Sequence, residues 1–101
     1  MPKELDPLLL SQLRLSVMSY LMVAQEAGFN ALKDHTGATA GNLSAQIAKL
    51  QEAGYLDVEK TFKDNYPHTR CKLTPKGIEA FETFYSDLKT YFNPNNHEEP
   101  K

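Results

Sequence analysis

Two amide side chains, Asn42 and Gln46, are four residues apart, a spacing that places them on one face of a helix. Amides can form paired hydrogen bonds with adenine in the DNA major groove, and Lys49 could neutralise a phosphate. The opposite face is apolar and consists of Leu43, Ile47 and Leu50. The stretch is therefore predicted to be an amphipathic helix, capped by Thr39, whose polar face reads bases.

This helix has almost no net charge with which to hold a polyanion. Residues 39–54 contain Lys49 and Glu52 and sum to zero, and the whole chain of 101 residues has a net charge of −2. Residues 55–78 contain five Lys or Arg against three Asp or Glu, a sum of +2. Further cations predicted to hold the DNA backbone therefore follow the helix in sequence: Lys60, Lys63, Arg70 and Lys72.

The segment that carries those cations is predicted to be a two-stranded hairpin. Residues 55–62 and 68–73 each alternate between apolar and polar side chains, and the turn-rich sequence from Lys63 to Pro67 separates them. Cys71 and Leu73 are expected to point inward. Thr74 and Pro75 then predict the cap and first residue of a long final helix, which Asn93-Pro94 ends.

Two helices are predicted before the reading helix. The first starts at Asp6-Pro7, is apolar over much of its circumference and closes with Gly28 as its C-cap. It is either the central helix of a small bundle or a helix that also contacts a second subunit. Asn30 is expected to cap a brief second helix that ends near His35. Gly41 permits either close helix packing or close approach of the backbone to a phosphate.

Composition excludes several other classes of protein. No apolar run approaches the roughly 18 residues that span a membrane, and the N-terminus lacks the pattern of a secretory signal. A single cysteine excludes an internal disulfide and fits the cytoplasm. The histidines fall in separate elements, so neither a metal site nor a cofactor is expected. No nucleophile–base pair or phosphate-binding loop indicates an enzyme.

The element order and three motifs resemble those of the small winged helix-turn-helix regulators related to the MarR and ArsR groups. The motifs are Gly41-Asn42-Leu43-Ser44, Lys49 to Leu56, and Leu73 to Gly77, within a resemblance from about Arg14 to Tyr91. The resemblance implies a homodimer that binds a pseudo-palindromic DNA site. His68 stands where members commonly carry a basic residue, which weakens a phosphate contact at neutral pH.

The predicted fold is thus a mainly helical α+β winged helix-turn-helix: a three-helix core, a two-stranded wing and a long C-terminal helix over residues 1–93, followed by a disordered tail, 94–101. The residues predicted to contact double-stranded DNA are Thr39, Asn42, Ser44, Ala45, Gln46, Lys49, Lys60, Lys63, Asn65, His68, Arg70 and Lys72. The residues predicted at the homodimer interface are Leu9, Leu13, Phe84, Leu88, Tyr91 and Phe92. An unidentified small-molecule effector, if one is used, is expected between the first and last helices. The alternative function is a winged helix that binds protein rather than specific DNA.

Overall fold

The computed structural model describes residues 2–92, which form four helices and one antiparallel sheet. In chain order the elements are a 3₁₀ turn (Pro7–Leu9), α1 (Gln12–Ala24), β1 (Glu26–Gly28), α2 (Phe29–Thr36), α3 (Ala40–Glu52), β2 (Leu56–Lys63), β3 (Tyr66–Leu73) and α4 (Pro75–Phe92). The order confirms the predicted winged helix-turn-helix fold. The predicted helix stop at Asn93-Pro94 and the predicted tail lie outside the described residues.

The apolar N-terminal stretch forms two elements instead of the one helix predicted. Asp6 caps only the 3₁₀ turn, where its carboxylate accepts the Leu8 N–H at 3.0 Å. Ser11 then caps α1, because its hydroxyl oxygen accepts the Arg14 N–H at 3.2 Å. Serine is a favoured N-cap residue because its hydroxyl oxygen accepts a backbone N–H at the start of a helix. The leucines on both sides of Ser11 instead predicted one continuous helix.

The end of α1 also differs from the prediction. Gln25, not Gly28, is its C-cap: it has φ of 75°, and its N–H donates to the Leu21 carbonyl at 2.8 Å. Gly28 is the last residue of β1 and directly precedes α2, which begins at Phe29. Asn30 consequently lies inside α2 and does not cap it. Strand pairing of the intervening residues, a long-range effect, determines these boundaries.

The sheet has three strands in the order β1-β3-β2, so the predicted two-stranded hairpin gains a third strand. β1 pairs with β3 through Ala27 and Cys71, and β2 pairs with β3 from Leu56 opposite Leu73 to Lys63 at the turn. The short β1 covers the edge of β3 that a hairpin alone would leave open.

The core lies between the helices and the base of the hairpin. Its buried residues are apolar, and every helix and strand, as well as the 3₁₀ turn, contributes at least one of them: Leu9, Val17, Met18, Leu21, Ala27, Leu32, Leu43, Ile47, Leu50, Leu56, Cys71, Leu73 and Phe84. Among residues 2–92, no polar or charged residue is fully buried. The apolar stripe predicted for α3 is thus confirmed, and its burial turns the polar side of that helix toward solvent.

One junction fixes the wing and α4 to the end of α3. The Thr74 hydroxyl donates to the Gly54 carbonyl at 2.6 Å, and its oxygen accepts the Gly77 N–H at 2.9 Å. The Thr74 N–H donates to the Tyr55 carbonyl at 3.1 Å. Thr74 therefore caps α4, as predicted, and also binds the turn after α3.

Candidate nucleic-acid interface

The exposed side of α3 is small and polar. Thr39 caps the helix by accepting the Asn42 N–H on its hydroxyl oxygen at 3.2 Å. The predicted contact residues on this side are exposed, with Gln46 half-buried: Asn42, Ser44, Ala45, Gln46 and Lys49. A Cβ added to Gly41 would have no atom within 4 Å, so close packing inside this chain does not explain that glycine. Gly41 and Ala45 leave the outer surface of α3 low enough for another molecule to approach its backbone.

Two of the predicted reading residues are already hydrogen-bonded to each other and to α1. The Gln46 Nε2 donates to the Asn42 Oδ1 at 3.1 Å, and the Gln46 Oε1 accepts from the Arg14 Nη1. Arg14 also donates from Nε to the Leu8 carbonyl at 2.7 Å. Sequence reasoning did not place Arg14 at the site, because it is 32 residues from Gln46 and only the fold brings them together.

A cleft of about 450 Å³ separates α3 from the wing. Its α3 wall contains Gly41 and Ser44, and its wing wall contains Lys60 and Thr69. The structure therefore brings Ser44 and Lys60, both predicted to contact DNA, to one concave surface. Gln51, two turns beyond Ser44 on the same wall, is a lining residue that was not predicted from the sequence.

The wing cations are divided between the two faces of the hairpin. Because side chains alternate along a strand, Lys60 lies on the face toward α3, and Arg70 and Lys72 lie on the other face, as does Lys63 at its exposed tip end. The Arg70 Nε is 3.3 Å from the Glu26 Oε1, and Lys72 is directly opposite Asp57. Arg70 and Lys72 thus have acidic neighbours and do not share a surface with Lys60.

The tip of the wing is a tight turn with exposed side chains. Asp64 and Asn65 have φ of 52° and 67°, the left-handed conformation that a two-residue hairpin loop requires and that Asp and Asn tolerate. Lys63 and Asn65 are exposed, whereas His68 is half-buried, and its ring would lie 3.2 Å from a Cβ at Gly28. His68 is therefore packed against β1 and is not presented at the tip.

The residues predicted at a dimer interface fall into two groups. Leu9 and Phe84 are 0 % and 5 % exposed within the single chain, so they are core residues with no surface for a partner, which corrects their assignment. Leu13 and Leu88 are half-buried against the core. Tyr91 and Phe92, at the end of α4, are 46 % and 71 % exposed.

Two titratable groups are perturbed by their surroundings. Burial raises the pKa of the Cys71 thiol to about 11, which keeps it a neutral side chain in the core. Burial and the Asp6 carboxylate together raise the pKa of Tyr55 to about 12, and the Tyr55 hydroxyl donates to the Asp6 Oδ2 at 2.5 Å.

Within residues 2–92, no three His, Cys, Asp or Glu side chains are grouped as metal ligands. None of the helices in this part of the chain could cross a membrane.

Comparison with known proteins points to one family. The sequence model described as a winged helix DNA-binding domain matches residues 13–92. An uncharacterized protein of Methanocaldococcus jannaschii is 30 % identical over 78 residues, which are 77 % of this chain and 85 % of the relative. The structure of a transcriptional regulator homologue from Pyrococcus horikoshii OT3 superposes with a TM-score of 0.82 and 27 % identity, covering 90 % of each chain. A MarR-family transcriptional regulator from Silicibacter pomeroyi has the same fold, with a TM-score of 0.66, 19 % identity, and coverage of 93 % of this chain and 63 % of its own.

Proposed function

The chain belongs to the winged helix DNA-binding domain family, and from this we propose that it is a homodimeric transcriptional regulator that binds specific double-stranded DNA sequences. The observation that carries the proposal is the cleft between α3 and the wing, where Gly41 and Ser44 of α3 lie opposite Lys60 and beside the exposed polar side chains of the same helix. A surface of this shape can place a helix in the major groove while a cation beside it contacts the phosphates.

In the proposed complex, the N-terminal half of α3 enters the major groove. Asn42 and Gln46 face the bases, Thr39 and Ser44 contact a phosphate or a base, and Ala45 permits close approach. Asn65 at the wing tip reaches an adjacent minor groove. Of the predicted phosphate contacts, Lys49, Lys60 and Lys63 are exposed and the observed acidic neighbours of Arg70 and Lys72 argue against those two.

Dimerisation would double this small set of cations. Three lysines per protomer give about six phosphate contacts, for which affinity should fall about a thousandfold between 50 and 200 mM salt. The proposed dimer contact is formed by the exposed aromatic residues of α4, Tyr85, Tyr91 and Phe92, together with Leu13 and Leu88. Sedimentation should show a dimer at low micromolar concentration, and a stable monomer there would overturn this part of the proposal.

Selection from a random duplex library, followed by binding measurements on the selected site, tests the function. Asn42→Ala should relax the preferred sequence. Lys60→Ala should weaken binding to all duplexes alike and lower the salt slope by about 2, because both protomers lose a contact. Lys72→Ala, on the other face of the wing, is the matched control and should change neither property. Binding without sequence preference, or an equal loss of affinity in Lys60→Ala and Lys72→Ala, would contradict the proposed interface.

The competing function is a winged helix that binds another protein. The zero net charge of residues 39–54 and the exposed wing aromatics Phe62 and Tyr66, at 77 % and 74 %, favour this alternative. It predicts no salt-dependent retention on duplex DNA, whereas the proposed function requires it.

Regulation by a small molecule would use the cleft between α1 and α4. This cleft has a volume of about 290 Å³ and is lined by Leu15, Ser16, Phe81 and Tyr85, among others. Its mixed apolar and hydroxyl lining is typical of sites for small organic molecules.

Because the proposed partner is genomic DNA, we place the protein in the cytoplasm. The proposed function consists of binding and regulation, so it assigns the protein no catalytic role.

A further inference from the structure

The proposed reading residues are connected to α1 by a directed chain of hydrogen bonds. Arg14 donates to Gln46, and Gln46 donates to Asn42, so the chain runs from a core helix to the exposed face of α3. Arg14 is held in turn by the Leu8 carbonyl, 2.7 Å from its Nε. The guanidinium is therefore anchored at one end before it contacts the amide at the other.

The chemistry of arginine fixes the direction of this chain. A guanidinium has five N–H donors and no acceptor, so the group that faces it must be the carbonyl oxygen of Gln46. The Gln46 amide nitrogen then points to Asn42, where the acceptor must be the amide oxygen, Oδ1. Reversing either amide would bring two donors or two acceptors together.

We propose that Arg14 is a positioning residue that determines DNA specificity: it orients the Gln46 and Asn42 amides so that both present N–H donors, and not a donor–acceptor pair, to the major groove. The inference rests on the proposed function, since it concerns what α3 presents to DNA. It also changes the prediction made from sequence, in which each amide was expected to make a bidentate pair with adenine.

The expected base follows from the groups presented. Adenine pairs with an amide through one acceptor, N7, and one donor, N6, so the Asn42 oxygen would have to accept from N6 on its second lone pair while it accepts from Gln46 on the first. The free N–H groups of Asn42 need only acceptors on the base. Guanine presents two acceptors, N7 and O6, and thymine presents O4. The base pair that Asn42 contacts should consequently be selected for guanine or thymine on the contacted strand, with discrimination of about fivefold over adenine, the lower end of the range for an amide contact.

The first test compares the wild type with Arg14→Met in a duplex selection. The base pair contacted by Asn42 is identified as the position at which Asn42→Ala loses preference. The wild type should select guanine or thymine there, and Arg14→Met should shift toward adenine, because the released amides can turn. A selected adenine in the wild type, or an unchanged preference in Arg14→Met, would overturn the inference.

A second variant preserves the anchor in case loss of Arg14 unfolds the chain. Gln46→Glu has the same shape and only acceptors, so it still accepts from Arg14 but now requires a donor from Asn42. The Asn42 amide should turn over and present its oxygen, which favours bases with an amino donor, adenine or cytosine. The added negative charge lowers affinity for all sequences alike and leaves this preference readable. Retention of guanine or thymine by Gln46→Glu would overturn the directed chain.

The two proposals fail in different ways. A wild type that binds duplexes without any sequence preference contradicts the proposed function, and the inference fails with it. If the wild type has a clear preference elsewhere in the site, but the wild type, Arg14→Met and Gln46→Glu all select the same base at the Asn42 position, the proposed function stands and the role of Arg14 is overturned. A purely structural Arg14 would lower the thermal midpoint without moving that base preference.

Discussion

Gly77 is the residue at which a single added methyl group should affect this fold most directly. A Cβ built on Gly77 would lie 2.2 Å from the Tyr55 carbonyl oxygen and 3.0 Å from its carbonyl carbon. These are backbone atoms in the turn between α3 and β2, so no side-chain rotation can relieve the overlap. Gly77→Ala must instead move α4 away from that turn, and the movement acts on the hydrogen bond from Thr74 to Tyr55.

The cost can be worked out from three terms. Overpacking of a filled site costs about 1–3 kcal/mol, and loss of the hydrogen bond between Thr74 and Tyr55 costs about 0.5–1.5 kcal/mol. Alanine returns at most about 1 kcal/mol through its higher helix propensity, and less at this position in the first turn of α4. The net loss is therefore about 2 kcal/mol, which lowers the Tm of a chain of this size by about 8–16 °C.

Gly41→Ala is the matched control, because Gly41 is also near the start of a helix but has no atom within 4 Å of its Cβ position. It should leave stability unchanged or raise it by up to about 1 kcal/mol. Thermal and urea unfolding followed by circular dichroism, at one protein concentration for all variants, measure both changes. The reasoning is refuted if Gly77→Ala unfolds within about 0.5 kcal/mol of the wild type, or if the two glycine variants shift alike.

Three further outcomes are expected. Gly41→Ala should weaken DNA binding by about 5- to 30-fold despite its stability, because a methyl group there obstructs backbone approach; unchanged affinity would contradict the proposed helix placement. The Cys71 thiol, buried with a pKa raised to about 11, should react slowly with a thiol reagent at pH 7 and quickly in denaturant, and rapid labelling of the native protein would contradict its burial. The pKa of Tyr55 is raised from 10.0 to about 12, so its contribution to folding stability is present below pH 10 and lost as pH rises to 12. Tyr55→Phe should show a smaller decline over that interval in pH-dependent unfolding, and an identical decline would exclude a role for the bond to Asp6.

The elements that could be predicted from sequence are those set by local chemistry. The apolar stripe of Leu43, Ile47 and Leu50, the Thr39 cap and the Thr74 cap each depend on residues within one or two turns of chain, and all are present. The alternation of the hairpin likewise placed Cys71 and Leu73 in the core. Such patterns require no knowledge of distant segments.

The features that sequence did not predict depend on contacts between distant residues. β1 consists of three residues without strand character of their own, and it is a strand because Ala27 pairs with Cys71. Leucine and phenylalanine occur both in cores and at subunit interfaces, so residue type alone does not distinguish the two for Leu9 and Phe84. Only the packing of the N-terminal turn and α4 shows that both are buried within the chain. The bond between Arg14 and Gln46 joins α1 to α3 across 32 positions. No periodicity within either helix indicates it.

The distribution of charge separates two tasks within the proposed interface. Residues 39–54 sum to zero charge, so α3 attracts DNA weakly at long range and depends on short-range fit and on hydrogen bonds from oriented amides. Lys60 and Lys63 lie on the wing, outside the reading helix, and a second protomer would repeat them. Affinity should then follow salt concentration mainly through the two wing lysines, with Lys49 of α3 as the third phosphate contact, while base preference follows the orientation of Asn42. Because Arg14 sets that orientation from α1 through Gln46, selectivity depends on the packing of α1 against α3 and is separable from the cations that supply affinity.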